Sequence, residues 1–256
     1  MARKKGDELY ILVTNDDGVR AEGIKNLREA VEDMGRVIVV APEQQQSASS
    51  HALTLSDPLR INWLDDSTIA VDGTPTDCVL VAMRGLLERK PDLLVSGINH
   101  GPNLGDDVTY SGTVAAAFEG TLLGIPSIAM SVAAWHECKF DAAREFARVI
   151  VRKVLEEGLA PNTLLNVNVP SCACEGVSEV KVTKLGKRVY RDVIVKKKDP
   201  RGRDYYWIGG GDPVWEPEGG TDFEAIEQNA ISVTPLHLDL TDYTQLEVVK
   251  KWNLSF

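Results

Sequence analysis

An α/β fold built on a mostly parallel sheet, with helices on both faces, is what this sequence predicts. Three observations carry it. Short runs of strand length alternate along the chain with stretches of helical period. The strand runs are apolar throughout, as strands covered on both faces are. And 43% of the 256 residues are hydrophobic, enough to fill a sizeable core.

The elements follow in order. Residues 9–14 read as a buried strand, closed by Gly18. Ile24, Leu27, Val31 and Met34 then fall on one helical face, and Gly35 stops that helix. Residues 36–41 are a second buried strand, ended by Pro42, so the first 42 residues form a right-handed β-α-β unit. Thr74 is placed as an N-cap with Pro75 at the first helical position, and the helix is expected to run through residues 78–89. Residues 92–96 are a strand, 111–123 a small-residue helix ending at Gly124, 126–131 a strand, 141–157 an amphipathic helix and 163–169 a strand. The fold class is therefore a Rossmann-like three-layer α/β core over residues 1–176.

Residues 177–256 have a different texture and read as a C-terminal extension. Residues 179–185 and 191–197 alternate apolar with polar or basic side chains. Asp199, Pro200 and Gly202 mark a turn, and residues 204–208 return as a partner strand, so a hairpin arm beginning near Val189 is expected. Tyr205, Tyr206 and Trp207 on that arm need cover, either from their own domain or from a neighbouring subunit. Residues 209–218 are a Gly/Pro-rich loop, 231–236 a strand and 242–252 a terminal helix or extension.

Composition removes several classes of function. The net charge of −10 repels polyanions, so a nucleic acid polymer is not an expected partner. A small anion remains compatible if a bound cation reverses the field locally. No run approaches the roughly 18 apolar residues of a membrane span, and no apolar stretch follows the basic start as in a signal peptide, so the expected location is cytoplasmic with no membrane partner. Cys78, Cys138, Cys172 and Cys174 lack the paired spacing of a zinc site, even with His136, and read as reduced thiols.

Chemistry concentrates at strand ends. In open parallel sheets ligands bind beyond the carboxyl ends of the strands. There the first strand delivers Asn15, Asp16, Asp17 and Gly18. Adjacent carboxylates repel unless a cation lies between them, and hard ions such as Mg²⁺ or Mn²⁺ prefer oxygen ligands. Taken alone, the tetrapeptide is equally an Asp-Gly turn. The second strand ends in a polar loop containing Ser47 and His51. The third ends in a glycine-rich loop with Asn99 and Asn103, whose amides can serve a metal or a phosphate. Ser111, Gly112 and Thr113 open a helix whose N-terminus attracts anions, or whose Ser111 simply caps it. Taken together, these ends describe a cation with a phosphate beside it.

Residues 11–18 (ILVTNDDG), 39–42 (VVAP) followed by Ser47, 73–78 (GTPTDC), 95–107 (VSGINHGPNLGDD) and 110–117 (YSGTVAAA) resemble the survival protein E (SurE) family of nucleotidases, in the family's order. The resemblance implies hydrolysis of nucleoside 5′-monophosphates, also of 3′-monophosphates and short polyphosphate, by an enzyme with one divalent metal ion (Mg²⁺ or Mn²⁺). It implies a homodimer or homotetramer built through C-terminal arms. Carried over by position, Asp16, Asp17, Ser47 and Asn99 are the metal ligands. Asn15, Asn103, Ser111, Gly112 and Thr113 line the phosphate pocket, and Asp16 and Asp17 are the catalytic residues. Gln46 departs from the family, which commonly has a basic residue there; this weakens the case for tight polyphosphate binding.

The mechanism expected is direct hydrolysis, with Asp16 the preferred proton acceptor. A covalent aspartyl-phosphate route is disfavoured because its signature spaces the acids one residue apart on one face. A non-catalytic metal-dependent nucleotide sensor is the alternative function. Metal-dependent glycosyl transfer lacks its sugar-nucleotide domain. His100 is either a proton donor to the leaving group or a solvated loop residue, and without a visible partner the second reading is expected. His51 and His237 belong to no evident constellation.

Overall fold

The structure, a computed structural model, describes residues 8–134, 137–189, 193–209, 214–252 and 254. His136, Arg191 and part of the loop at 209–218 lie outside the described residues. A nine-stranded sheet forms the centre. β1 (Tyr10–Thr14) and β2 (Arg36–Pro42) flank α1 (Glu22–Val31), and β3 (Ile61–Asp65) and β4 (Thr68–Val71) follow. Next come α2 (Pro75–Val81), β5 (Leu93–His100), α3 (Gly112–Leu122), β6 (Ser127–Ala133), α4 (Asp141–Glu157) and β7 (Thr163–Pro170). The extension adds β8 (Val180–Val182), β9 (Arg188–Val189), β10 (Val193–Lys198), β11 (Asp204–Gly209), β12 (Val214–Trp215), α5 (Asp222–Glu227), β13 (Ile231–His237) and α6 (Tyr243–Val249).

The strand order is β3-β4-β2-β1-β5-β6-β7-β13-β8. From β4 to β7 all pairs are parallel; β3–β4 and β13–β7 are antiparallel. The chain winds outward from β1 in one direction and from β5 in the other. The crevice between their carboxyl ends is therefore the topological switch point. β1 is central: Ile11, Leu12 and Val13 are fully buried. Ile11 and Val13 face a core shared with α1 and α4, while Tyr10 and Leu12 face one shared with α2 and α3. Each fully buried aliphatic side chain contributes about 1.5–3 kcal/mol, so this strand is anchored on both faces.

Several expectations shift. β3 and β4 were not foreseen; they add an antiparallel edge to the sheet. The helix after Thr74 has the predicted cap, with Thr74 Oγ1 accepting from the Asp77 N–H at 3.1 Å and Asp77 Oδ2 accepting from the Thr74 N–H at 2.9 Å. It does not run to Arg89, however. The α-helix ends at Val81 and a π-helical turn covers Ala82–Leu86. In the extension, β13 and β8 join the core sheet, so residues beyond 176 complete it. β10 and β11 form the hairpin, six residues each, whereas Val189 pairs with Val214 in a separate small ladder.

Candidate active site

β1 ends at the switch point, and its last turn holds the first carboxylates. Asp16 is buried. Its Oδ2 accepts from the Thr113 N–H at 3.1 Å and its Oδ1 from the Thr113 hydroxyl. Burial pushes the Asp16 carboxyl up to about 6; the bonds from Thr113 pull it down and the neighbouring Asp17 charge adds to the rise. Asp17 turns the other way, toward β5, and its Oδ2 accepts from the His100 N–H at 2.9 Å. Burial raises its pKa too, opposed by that bond and by the His100 ring. No lysine or arginine among the described residues forms a salt bridge with either aspartate. Beneath them, buried Asn15 donates to the Gly18 carbonyl at 2.9 Å and leaves its Oδ1 without a hydrogen-bond partner.

The approach of α3 to Asp16 depends on Gly112. A Cβ there would lie 2.9 Å from Asp16 Cβ and 2.7 Å from Ser49 Oγ. Ser111 caps the helix, its Oγ accepting from the Val114 N–H at 3.1 Å. β5 shifts register against β6 between Ser96 and Asn99, with Gly97 at φ +135°. A Cβ on Gly97 would meet the Met130 carbonyl oxygen at 2.3 Å, so only glycine permits this bulge. The shift carries Asn99 to the strand tip, where its Nδ2 donates to the Gly101 carbonyl at 2.9 Å. That leaves Oδ1 as its acceptor.

A cavity of about 650 Å³ opens over these groups, lined by Asp16, Ser47, Asn99, Asn103 and Ser111 together with Ala48, His100, Asp107, Tyr110 and Arg188. Five sequence-predicted residues thus share one wall. Asn15, Asp17, Gly112 and Thr113 stand behind it rather than on it. Thr113 directs both its N–H and its hydroxyl at Asp16. The ligands expected from the sequence are two carboxylates (Asp16, Asp17), a hydroxyl (Ser47) and an amide (Asn99), of which all but Asp17 line the cavity; an all-oxygen set of this kind suits a hard divalent cation rather than zinc. Among the described residues no three His, Cys, Asp or Glu side chains converge, and all four cysteines are free.

This geometry belongs with known proteins. The model of the family described as "Survival protein SurE" matches residues 11–192. The chain belongs to the SurE family. A relative named 5′-nucleotidase SurE from Geobacter sulfurreducens is 54% identical over 248 residues, spanning 96% of this chain and 95% of the relative. One of the same name from Pelobacter propionicus is 53% identical over 95% of this chain and 99% of its own length. A crystal structure of the SurE protein from Aquifex aeolicus superposes with a TM-score of 0.86 at 47% identity, covering 94% of this chain and 98% of that one.

Sequence reasoning missed several residues that shape this SurE-family site. Asn103 is clamped by three buried side chains on strands. Its N–H donates to Asn168 Oδ1 at 2.8 Å and its Nδ2 to Ser131 Oγ at 2.8 Å, and its carbonyl accepts from Asn166 and Asn168 at 2.8 and 3.0 Å. Fully buried Asp222 accepts from the N–H groups of Gly105, Gly186 and Phe223 at 2.7, 2.8 and 3.0 Å, and burial raises its pKa against those bonds. Polar residues inside strand-like runs were the available signal. His51 also has a partner after all: its Nε2 lies 2.9 Å from Glu119 Oε2. His100 also lines the cavity, and its backbone N–H donates to Asp17.

Proposed function

We propose that this chain is a divalent-metal-dependent 5′-nucleotidase that hydrolyses nucleoside 5′-monophosphates to nucleoside and inorganic phosphate. One observation carries the reading: Asp16, a buried carboxylate with no cationic side chain among the described residues paired to it, borders a cavity of about 650 Å³ at the switch point of the sheet. A pocket of that size accommodates a small organic ligand such as a nucleotide. The names of the curated relatives support the same substrate class.

Asp16, Asp17, Ser47 and Asn99 would hold one Mg²⁺ or Mn²⁺. The bound ion supplies Lewis-acid polarisation of a phosphoryl oxygen and lowers the pKa of water. The chain's own groups do the rest. Thr113 fixes the orientation of Asp16 from behind. Ser111 and Asn103 offer polar atoms to the phosphate, with Asn15, Gly112 and Thr113 supporting them. Of the two carboxylates, Asp16 borders the cavity, and we assign it to accept the proton of the attacking water. Asp16 and Asp17 are adjacent in sequence rather than spaced one residue apart, which disfavours a covalent aspartyl-phosphate route. 3′-Monophosphates and short polyphosphate are proposed as secondary substrates, polyphosphate the weaker because Gln46 beside Ser47 is uncharged.

The proposed assembly is a homodimer or homotetramer: Tyr206 and Trp207 on β11 are 58% and 63% exposed and would gain cover from another copy. The proposed compartment is the cytoplasm; no helix among the described residues is long and apolar enough to cross a membrane.

The test is phosphate release from a panel of 5′- and 3′-monophosphates with chelator, Mg²⁺ or Mn²⁺. We expect release to be abolished by chelator, restored by the metal, and reduced at least about a hundredfold in Asp16→Asn. Nucleotide binding without phosphate release would make the protein a sensor instead. Near-normal rates in Asp16→Asn at saturating Mn²⁺ would remove Asp16 from the mechanism.

A further inference from the structure

We infer that Arg188 is a phosphate-binding residue of the cavity, an inference that rests on the nucleotidase reading of that site and deepens it. The cavity wall carries Asp16 and Asp107, and the chain as a whole carries a net charge of −10. A phosphomonoester dianion entering it needs positive charge besides that of a metal. Among the described residues lining the cavity, Arg188 is the one side chain with a permanent positive charge. Its guanidinium matches phosphate oxygens in geometry as well as in sign.

Arg188 is held in position before any substrate arrives. Its Nη1 donates to both oxygens of Asp107, at 3.0 and 2.9 Å. The guanidinium carbon sits 5.7 Å from the centroid of the Trp215 ring, within cation–π range. Trp215 is also its cross-strand neighbour in the β9–β12 ladder. Two residues earlier, the Gly186 N–H is bound by buried Asp222. A guanidinium fixed in this way loses little freedom when it takes an anion. A simple latch between the loop at Asp107 and the segment at Arg188 would account for the ion pair, but pairs still in contact with water, as these side chains are at 24% and 27% exposure, contribute little to stability. It would leave unexplained why the cation stands in the wall of a cavity whose other formally charged side chains are the carboxylates of Asp16 and Asp107.

The two roles separate by experiment. Inorganic phosphate is titrated calorimetrically into the Mn²⁺-loaded wild type and the Arg188→Gln, Arg188→Lys and Asp107→Asn variants, with Mn²⁺ affinity and melting temperature measured beside it. Arg188→Gln is expected to weaken phosphate binding about tenfold or more with Mn²⁺ affinity unchanged. Arg188→Lys should lose less, because it keeps the charge and gives up the planar fork. Asp107→Asn removes a repelling charge while its amide oxygen still accepts from the guanidinium, and should bind phosphate at least as tightly as the wild type. Equal phosphate affinity in wild type and Arg188→Gln, or equal weakening by Arg188→Gln and Asp107→Asn, overturns the assignment. A wild type that binds phosphate but never releases it from a 5′-monophosphate sinks the nucleotidase reading and leaves the Arg188 comparison standing. A wild type that binds no phosphate overturns both.

Discussion

One wall of the cavity comes from the tips of β1, β2 and β5 and the start of α3; the other pairs Asp107 with Arg188, residues 81 positions apart. At the first wall the carboxylates are met by main-chain donors, Asp16 by the Thr113 N–H together with that residue's hydroxyl, and Asp17, behind the wall, by the His100 N–H. In the second, charge is met by side chains, and the backbone is tied down at a distance by Asp222. The contrast teaches where each wall can yield. Main-chain donors packed against a sheet cannot shift without moving the sheet. A wall hung on a few side chains can change shape while the fold persists.

The sharpest way to break the first wall is Gly112→Ala. Its methyl group would press on Asp16 Cβ at 2.9 Å and on Ser49 Oγ at 2.7 Å, so one of them must shift. We expect kcat to fall about a hundredfold, as displacements near 1 Å at a reacting centre do, with the circular dichroism spectrum unchanged. Turnover close to wild type would mean that this wall is softer than its packing implies.

The second wall is tested by Asp222→Ala. Removing that carboxylate strands the N–H groups of Gly105, Gly186 and Phe223. At about 1–3 kcal/mol for each buried donor left unpaired, partly relieved by water, the loss of urea stability is expected near 3 kcal/mol. KM for the nucleotide should rise by a larger factor than kcat falls, because the chemistry sits on the other wall. A kcat effect as large as that of Gly112→Ala would erase the distinction.

A smaller effect is expected in the pH dependence of the metal-free protein. Asp16 stands at about 6 in the fold against 3.8 as the ordinary value. Between those values the folded chain binds a proton that the unfolded chain does not. The Asp16 contribution to stability therefore falls as pH rises through this window and is recovered on acidification, by at most about 3 kcal/mol in all. Urea titrations in chelator from acid to neutral pH should show this slope in the wild type and lose it in Asp16→Asn. A slope of the opposite sign would mean that the Thr113 bonds outweigh burial.

How much of this was legible in the sequence follows the same division. The first wall is written in contiguous motifs, because each strand tip carries its polar residues within a few positions of the apolar run that locates it. Asp16, Ser47, Asn99, Asn103 and Ser111 were found that way. Arg188 was not, since nothing local distinguishes it from a surface arginine; only the long-range pairing with Asp107 does. Asn166, Asn168 and Ser131 sat inside runs read as ordinary strands, yet they are the fully buried clamp on Asn103. β3 escaped notice because all five of its residues are exposed and carry no alternation. The helix after Thr74 was drawn too long because Met83, Leu86 and Leu87 still pack on the core through the π-helical turn, preserving a helical pattern where the α-helix has ended.

The position of β13 in the sheet has a consequence for synthesis. It lies between β7 and β8 and is the antiparallel neighbour of the strand that carries Asn166 and Asn168. Until residue 237 has left the ribosome, β7 remains an open edge with unanswered backbone groups. A nascent chain stalled after residue 113 has emerged would thus hold every proposed metal ligand and still lack its finished scaffold. Translation pauses in the last quarter of the message, rather than in the motif-bearing first half, are where this protein is most exposed to mispairing.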